Sequence, residues 1–570
     1  MGLNILFCDI ENMNVLYNYW LCFSRKKLSH YDKIILVIFM KALLIGINAK
    51  YIHPNLAIRL LKKNTTYDTD IKEFTIKDDI SNIVDYINNS NYDVIAFSCY
   101  IWNIEIIKNI LNKMNHNKVI VLGGPEVSYN AYDYIDNNIC DYVIKNEGEE
   151  AFHLLLSYLD NKYELDKIPN LYYKHGFTYD KLVDLSKIKM AYDLLDDLHN
   201  KVVYLETSRG CPYKCGYCMA SLDNKIRFFD VEEIKKQIIY LQSKGARVFK
   251  FLDRTFNANK KFIDLIDFII ENHKENESYQ FEITGDLLKP EYIDYINKKA
   301  PKNLIRFEIG IQSTNIEANL AVGRIQNNKL LFSNIIKIQD ANIIDLHLDL
   351  IAGLPKEDYS SFMKTFNDCV SLRPKELQLG FLKLLHGTRL YNEATLYGYI
   401  WDKNAPYEIV SNDYLSEKDI ENIHYAEDSF ESYYNSYLMR NTMMIVLDNE
   451  KNPFLFFNEL GKKDFKHKTL EHLFKTIDDF VKVKSYYKEF HKSIIIDYLN
   501  HYNLKPKAWW DEALNSKDKN KVIRVLFEKG LLNDTLDNLY KYSMVIPLLD
   551  TYIIAIYKAN EKKIIEIKKG

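Results

Sequence analysis

Three of the eight cysteines in this chain fall in one short run, Cys211-Pro-Tyr-Lys-Cys215-Gly-Tyr-Cys218. With 8 cysteines in 570 residues, a C-x3-C-x2-C spacing is expected by chance only about 0.002 times, so the placement needs a chemical reason. A structural zinc site closes with four ligands; His199 is available as a fourth but precedes an intervening strand. A redox pair needs two thiols and leaves the third without a role. Three thiolates on a 4Fe-4S cluster leave one iron without a protein ligand, an open position for a substrate or cofactor. The spacing favours this third reading.

The run follows an apolar strand, Val202 to Glu206, the first of six; the others are Val248 to Leu252, Phe281 to Thr284, Ile305 to Ile311, Leu346 to Ile351 and Leu377 to Leu382. Helical segments lie between them, notably Val231 to Gln242, stopped at Lys244-Gly245, and Tyr359 to Leu372. Six βα units predict a partial or full TIM-like βα barrel with its site at the C-terminal strand ends, where the cysteine loop would project. Ahead of it, strands Ala42 to Ile47, Ile71 to Ile76, Val94 to Ser98, Val119 to Leu122 and Tyr142 to Ile144 alternate with helical segments such as Ile104 to Leu111 and Glu149 to Leu159. Short apolar strands joined by helices predict a flavodoxin-like parallel sheet covered on both faces, with ligands at the carboxyl ends of its strands. Those ends carry Asn48, Ser98-Cys99-Tyr100, Gly123-Gly124-Pro125-Glu126 and Asn146-Glu147-Gly148-Glu149. Beyond residue 400 the pattern is mostly helical, with aromatic-rich stretches such as Tyr425 to Met439 that read as core.

The fold class is therefore α/β with a helical C-terminal region. The expected division is an extension or mis-assigned start over 1–39, an α/β domain over 40–195, a barrel over 196–400 and a helical domain over 401–570. The apolar run from Ile34 to Ile47 is interrupted by Lys41 and falls short of a membrane span. Hydrophobic residues at 47% and charged residues at 27% are those of a globular chain. A net charge of −3 supplies no bulk attraction to nucleic acid or an anionic membrane, and the sparse thiols suit a reducing cytoplasm.

The cysteine run, with Tyr217 just before its third cysteine, resembles the signature of the radical S-adenosylmethionine superfamily. The resemblance implies that Cys211, Cys215 and Cys218 bind the cluster and that the open iron chelates S-adenosylmethionine, whose reductive cleavage gives a 5′-deoxyadenosyl radical. It further implies contacts to S-adenosylmethionine from Tyr217, from Asp253 and Glu282 at the second and third strand ends, and from Glu308 and Gln312 at the fourth. A flavodoxin-like domain before such a barrel is similar to the cobalamin-binding class. This places Asn48, Ser98, Tyr100, Gly123, Gly124, Glu126, Glu147 and Gly148 at cobalamin. The class has a pattern Asp-x-His-x-x-Gly after the first strand, and this chain reads Asn48-Ala-Lys-Tyr-Ile-His53-Pro. His53 is expected to be a helix-entry residue, and cobalt to lack a histidine from this protein.

The resemblance implies methyl transfer to an unactivated carbon of a small-molecule or peptide substrate, with a reductant such as flavodoxin or ferredoxin. A cobalamin-dependent radical cyclisation or rearrangement uses the same cofactors and stays open. A non-catalytic corrinoid or cluster-bearing electron carrier is the alternative of another class. Methylthiotransferases need three further cysteines in the N-terminal domain, and Cys8, Cys22, Cys99 and Cys140 are too scattered for that. No general base can be named, and the substrate is not legible.

Overall fold

A computed structural model describes residues 40–192, 197–223, 225–466, 468–510, 514–558 and 561–569. The extension expected over 1–39, with Cys8 and Cys22, lies outside the described residues. Strands β1 (Lys41–Asn48), β2 (Asp68–Thr75), β3 (Val94–Ser98), β4 (Val119–Gly123), β5 (Tyr142–Ile144), β6 (Leu171–Tyr173) and β7 (Gly176–Phe177) form one sheet in the order β2-β1-β3-β4-β5-β6-β7. The first five run parallel, as expected of strands whose two faces are both apolar. Leu43, Ile45, Ile95 and Phe97 pack on one face, and Ala42, Leu44, Val94 and Ala96 pack on the other. The antiparallel pair β6 and β7 makes the sheet mixed rather than purely parallel. Strands of three and two residues are too short to carry a periodic signal.

Next come β8 (Val202–Leu205), β9 (Ser208–Arg209), β10 (Arg227–Phe228), β11 (Val248–Phe251), β12 (Ser278–Ile283), β13 (Ile305–Gln312), β14 (Asp345–Ala352) and β15 (Glu376–Phe381). All but β9 and β10 form a six-stranded parallel sheet in sequential order, a partial barrel with β8 and β15 at its edges. The pleat sorts its residues. In β13 Ile305, Phe307, Ile309 and Ile311 are buried, while Arg306, Glu308, Gly310 and Gln312 alternate with them on the half-buried face. Register carries the polar face across the sheet, aligning Lys250 with Gln280 and Arg306, and Glu282 with Glu308 and His347. The concave interior is therefore charged.

An open barrel edge leaves unpaired backbone groups. Asn435 occupies those of Leu377 on β15: the Leu377 N–H donates to Asn435 Oδ1 at 3.2 Å and Asn435 Nδ2 donates to the Leu377 carbonyl at 3.0 Å. Asn435 closes a π-helical turn, Glu431–Asn435, that follows the helix Glu417–Phe430. The stretch Tyr425 to Met439 is thus two segments, and its Tyr433 and Tyr434 are fully buried. Phe366 of the barrel packs edge-on to Phe430 and Phe454, so the barrel and the helical region share one apolar core. The C-terminal region is mostly helical but ends in an antiparallel sheet that the sequence reading missed. Its strands are Ser543–Pro547, Thr551–Lys558 and Glu561–Lys568. Among the described residues no helix is long and apolar enough to cross a membrane.

Candidate functional site

The cysteine loop leaves and re-enters the barrel through a narrow neck, where β9 and β10 pair antiparallel with Arg209 opposite Arg227. Asp253, at the end of β11 and 1% exposed, holds one side of that neck. Its Oδ2 accepts from the Thr207 N–H at 2.9 Å, and its Oδ1 accepts from the hydroxyls of Thr207 at 2.6 Å and Ser208 at 2.5 Å. Within the loop Cys211 and Cys215 are buried and Cys218 is half-buried. Cys211 Sγ lies 3.8 Å from Thr255 Oγ1. Burial pushes the Cys211 and Cys218 thiols up, opposed at Cys211 by the Tyr213 N–H and at Cys218 by the Arg254 guanidinium. Arg324, held by the Gly310 carbonyl at 2.5 Å, lies beside Cys215 and Tyr217.

Three free thiols on one loop, with two guanidiniums beside them, suit an anionic iron-sulfur cluster. Among the described residues no three His, Cys, Asp or Glu side chains converge as a single metal ion would require. His199 precedes β8, at the strand end opposite the cysteines, and its Nδ1 pairs with Asp197 at 2.5 Å. It is not placed as a fourth ligand beside the three cysteines.

The barrel interior beside this loop holds opposed charges. Lys250 Nζ lies 3.1 Å from Glu308 Oε2, Gln280 donates to the same oxygen, and Arg254 Nη1 lies 3.2 Å from Glu282 Oε2. Deeper in, His347 Nε2 is 2.8 Å from Asp349 Oδ1, and Arg306 bridges the His347 ring to Glu376. Burial drives the Glu282 carboxyl up and its neighbours Glu308 and Asp349 add to this against Arg254. Burial also acts on Glu308, but Lys250 and His347 outweigh it and hold that carboxyl below its usual range. Burial would lower His347; Asp349, Glu376 and Glu308 overcome it and hold the imidazole up. Gln312 adopts a left-handed φ of 66°, and its amide folds over Gly310, where a Cβ would lie 2.2 Å from Gln312 Nε2. Its Oε1 is buried without a protein partner. Of the five residues placed at S-adenosylmethionine, Tyr217, Glu282, Glu308 and Gln312 gather around the cysteine loop and the interior. Asp253 has both oxygens engaged by the neck.

At the carboxyl ends of β3, β4 and β5 a cavity of about 330 Å³ runs beneath the helix Leu56–Lys63. Its depth is apolar, with Leu44, Ile58, Ala96, Val121 and Phe152; Ser98, Tyr100, Gly123, Gly124, Glu147 and Gly148 also line it. Gly124 has a φ of +114°, and a Cβ there would lie 2.5 Å from the Cys99 carbonyl oxygen, so only glycine permits this close turn. Asn48 and Glu126 are not among the lining residues. Asn48 donates to Glu73 at 2.8 Å, and Glu126 accepts from the Tyr407 hydroxyl. The mouth is completed from the barrel side by Glu206, Arg209 and Leu252.

Sequence reading missed Glu206, Arg209, Arg227, Lys250, Arg324 and His347 as site residues, and placed Glu149 at a ligand-bearing strand end without a role of its own. A usable signal existed for some: Lys250 and His347 sit on strands whose alternate residues are apolar, which marks an inward polar row. For Arg209 the only local sign was Glu206 three residues before it; its partners Glu147 and Glu149 come from a distant segment.

Residues 205–369 match the radical SAM superfamily, 42–156 the B12 binding domain, and 395–547 a family described as a protein of unknown function, DUF4080. An uncharacterized methyltransferase of Pyrococcus horikoshii, PH0819, is 29% identical over 201 residues, 32% of this chain and 43% of that protein. The 2-(S-pantetheinyl)-carbapenam-3-carboxylate methyltransferase of Streptantibioticus cattleyicolor is 22% identical over 311 residues, 47% of this chain and 44% of that protein. The chain thus spans less than half the length of these curated relatives. Among solved structures, the cobalamin-dependent S-adenosylmethionine radical enzyme OxsB with aqua-cobalamin bound is similar in fold. Its TM-score is 0.58 at 13% identity, over 88% of this chain and 84% of that one.

Proposed function

The chain carries a cobalamin-binding domain and a radical S-adenosylmethionine domain followed by an uncharacterised C-terminal region, and from that premise we propose that it is a cobalamin-dependent radical methyltransferase acting on an unactivated carbon. The observation that carries the reading is the shared cavity. Residues of the cobalamin-binding domain, Ser98, Gly123, Gly124 and Gly148, line one wall, and Glu206 and Arg209, at the entry to the cysteine loop, with Leu252 after β11, line the other. These residues would hold a corrinoid at the side of the barrel that bears Cys211, Cys215 and Cys218. When bound, these groups supply a methyl group and the means to generate a carbon radical; the protein supplies position and exclusion of water.

In this assignment the three cysteines hold the cluster. Arg254 and Arg324 offset its charge, and Asp253 fixes the neck instead of touching S-adenosylmethionine. Tyr217, Glu282, Glu308 and Gln312 remain its proposed contacts; the unpartnered Gln312 Oε1 is an acceptor available to a ribose hydroxyl. Ser98, Tyr100, Gly123, Gly124, Glu147 and Gly148 are proposed at the corrinoid. A small-molecule or peptide substrate, an electron donor such as flavodoxin or ferredoxin and a cytoplasmic location complete the proposal; six described cysteines without a disulfide suit a reducing compartment.

The test is product stoichiometry. Anaerobically reconstituted protein supplied with hydroxocobalamin, S-adenosylmethionine and a low-potential reductant is expected to form both 5′-deoxyadenosine and S-adenosylhomocysteine, the residue of methyl donation. Deoxyadenosine without S-adenosylhomocysteine would contradict methyl transfer and select a radical cyclisation or rearrangement.

A further inference from the structure

The neck of the cysteine loop is tied on its second side to the cobalamin-binding domain. Arg209, two residues before Cys211, places Nη2 2.6 Å from Glu149 Oε1 and 2.9 Å from Glu206 Oε2, and Nη1 3.2 Å from Glu147 Oε1. Across the ribbon, Arg227 reaches the same Glu147: Nη2 to Oε1 at 2.8 Å and Nη1 to Oε2 at 3.1 Å. Arg227 also bonds Asp223 at 2.8 Å. Both strands of the neck are therefore gripped by one short segment, Glu147-Gly148-Glu149, which is itself part of the cavity wall. These side chains are largely withdrawn from water, at 12% exposure for Arg209, 13% for Glu147 and 5% for Glu149. Two guanidiniums face four carboxyl groups, and burial pushes the Glu206 carboxyl up against the pull of Arg209.

Two atoms in it lack a hydrogen-bond partner, Arg227 Nε and Glu149 Oε2, and only the second belongs to a residue that lines the cavity. Glu149 uses Oε1 for Arg209, while its Oε2 is buried and has no hydrogen-bond partner. Glu149 lines the cavity, and a buried carboxylate oxygen without a donor is costly unless a ligand supplies one.

We propose that Glu149 and Arg209 form a coupling element. Glu149 Oε2 accepts a hydrogen bond from an amide or hydroxyl of the corrinoid in the cavity, while Oε1 holds Arg209, so that corrinoid occupancy sets the position of the cysteine loop. Arg209 is a positioning residue, not a catalytic one. The inference rests on the corrinoid reading, and the experiment separates the two.

Hydroxocobalamin is titrated into anaerobically reconstituted wild-type protein. Uptake is followed by visible absorption, and the reduced cluster is followed by electron paramagnetic resonance, without substrate. In wild type, uptake is expected to shift the cluster's g-values. Glu149→Gln keeps the shape but replaces a charged acceptor, and is expected to weaken hydroxocobalamin binding about tenfold. Arg209→Gln is expected to bind hydroxocobalamin within about threefold of wild type and to show no shift of the cluster signal on uptake. Arg227→Gln, on the opposite strand of the neck and without contact to Glu149, is expected to retain the shift and serves as the second variant. Uptake by wild type with an unmoved cluster signal, or an Arg209→Gln protein that shifts as wild type does, overturns the coupling alone. An Arg209→Gln protein that cannot be loaded leaves Glu149→Gln to decide: undiminished hydroxocobalamin affinity there overturns the proposal. No uptake by wild type overturns the corrinoid reading and the coupling together.

Discussion

The Tyr204 hydroxyl lies 2.7 Å from His53 Nδ1, joining residues 151 apart in sequence. Tyr204 sits on the inward row of β8 beside Lys250, and His53 lies in the turn that follows β1. The bond therefore fastens the rim of the first sheet to the barrel interior. Burial, with the cations of Lys50 and Lys250, holds His53 below its ordinary value, so the imidazole is neutral at pH 7 and its Nδ1 is engaged by a phenol.

This position predicts that His53 is not a cobalt ligand. In His53→Ala loaded with hydroxocobalamin, the electron paramagnetic resonance spectrum of the one-electron-reduced corrinoid is expected to match wild type, with no loss of nitrogen hyperfine structure. The lowered value also fixes a sign. His53 binds a proton more readily in the unfolded chain, so its contribution to stability is present above about pH 6.5 and is lost as the pH falls through that value toward the folded one. The wild-type Tm should drop more than that of His53→Ala between pH 7 and pH 5.

Glu357 carries the opposite sign. It is fully buried in the loop after β14, and its Oε1 accepts from the Ser313 hydroxyl at 2.5 Å and the Thr365 hydroxyl at 3.0 Å. Burial pushes the carboxyl up to about 7, against those two hydrogen bonds. A raised value means that stability is complete below the unfolded value near 4.5 and falls as the pH rises to 7 and beyond. The loss amounts to about 3 kcal/mol by pH 8. Glu357→Gln should abolish that slope in urea unfolding measured from pH 5 to pH 8. A wild-type slope retained in the variant would assign it to other groups.

Asn435 tests how the helical region closes the barrel. Asn435→Ala removes both side-chain partners of Leu377 at the free edge of β15, at an expected cost of about 1–3 kcal/mol in unfolding free energy. Amide hydrogen exchange should locate the effect, with faster exchange at Leu377 and unchanged exchange at Phe97 in the first sheet.

Legibility in the sequence followed burial. Strand Val94–Ser98 and helix Ile104–Leu111 have the expected bounds, because apolar residues on both faces of a strand, or along one stripe of a helix, are dictated by packing. The three cysteines were legible because their spacing is improbable. The terminal strand Glu561–Lys568 was not: its run of lysines and isoleucines lacks clean alternation. Nor was the grip on the neck of the cysteine loop. An arginine beside a cysteine looks like a solvated charge until Glu147 and Glu149 are brought against it by the fold. The same holds for Glu126, expected at the corrinoid and found bonded to Tyr407, 281 residues away.

The central claim is that Cys211, Cys215 and Cys218 hold a cluster that cleaves S-adenosylmethionine reductively. The most direct measurement is 5′-deoxyadenosine formed by the anaerobically reconstituted, reduced full chain, beside a protein with all three cysteines changed to alanine. The account predicts a visible iron-sulfur band and deoxyadenosine in wild type, and neither in the triple variant. A wild-type protein with an intact, reduced cluster that yields no deoxyadenosine, or a triple variant that keeps both band and product, would contradict it.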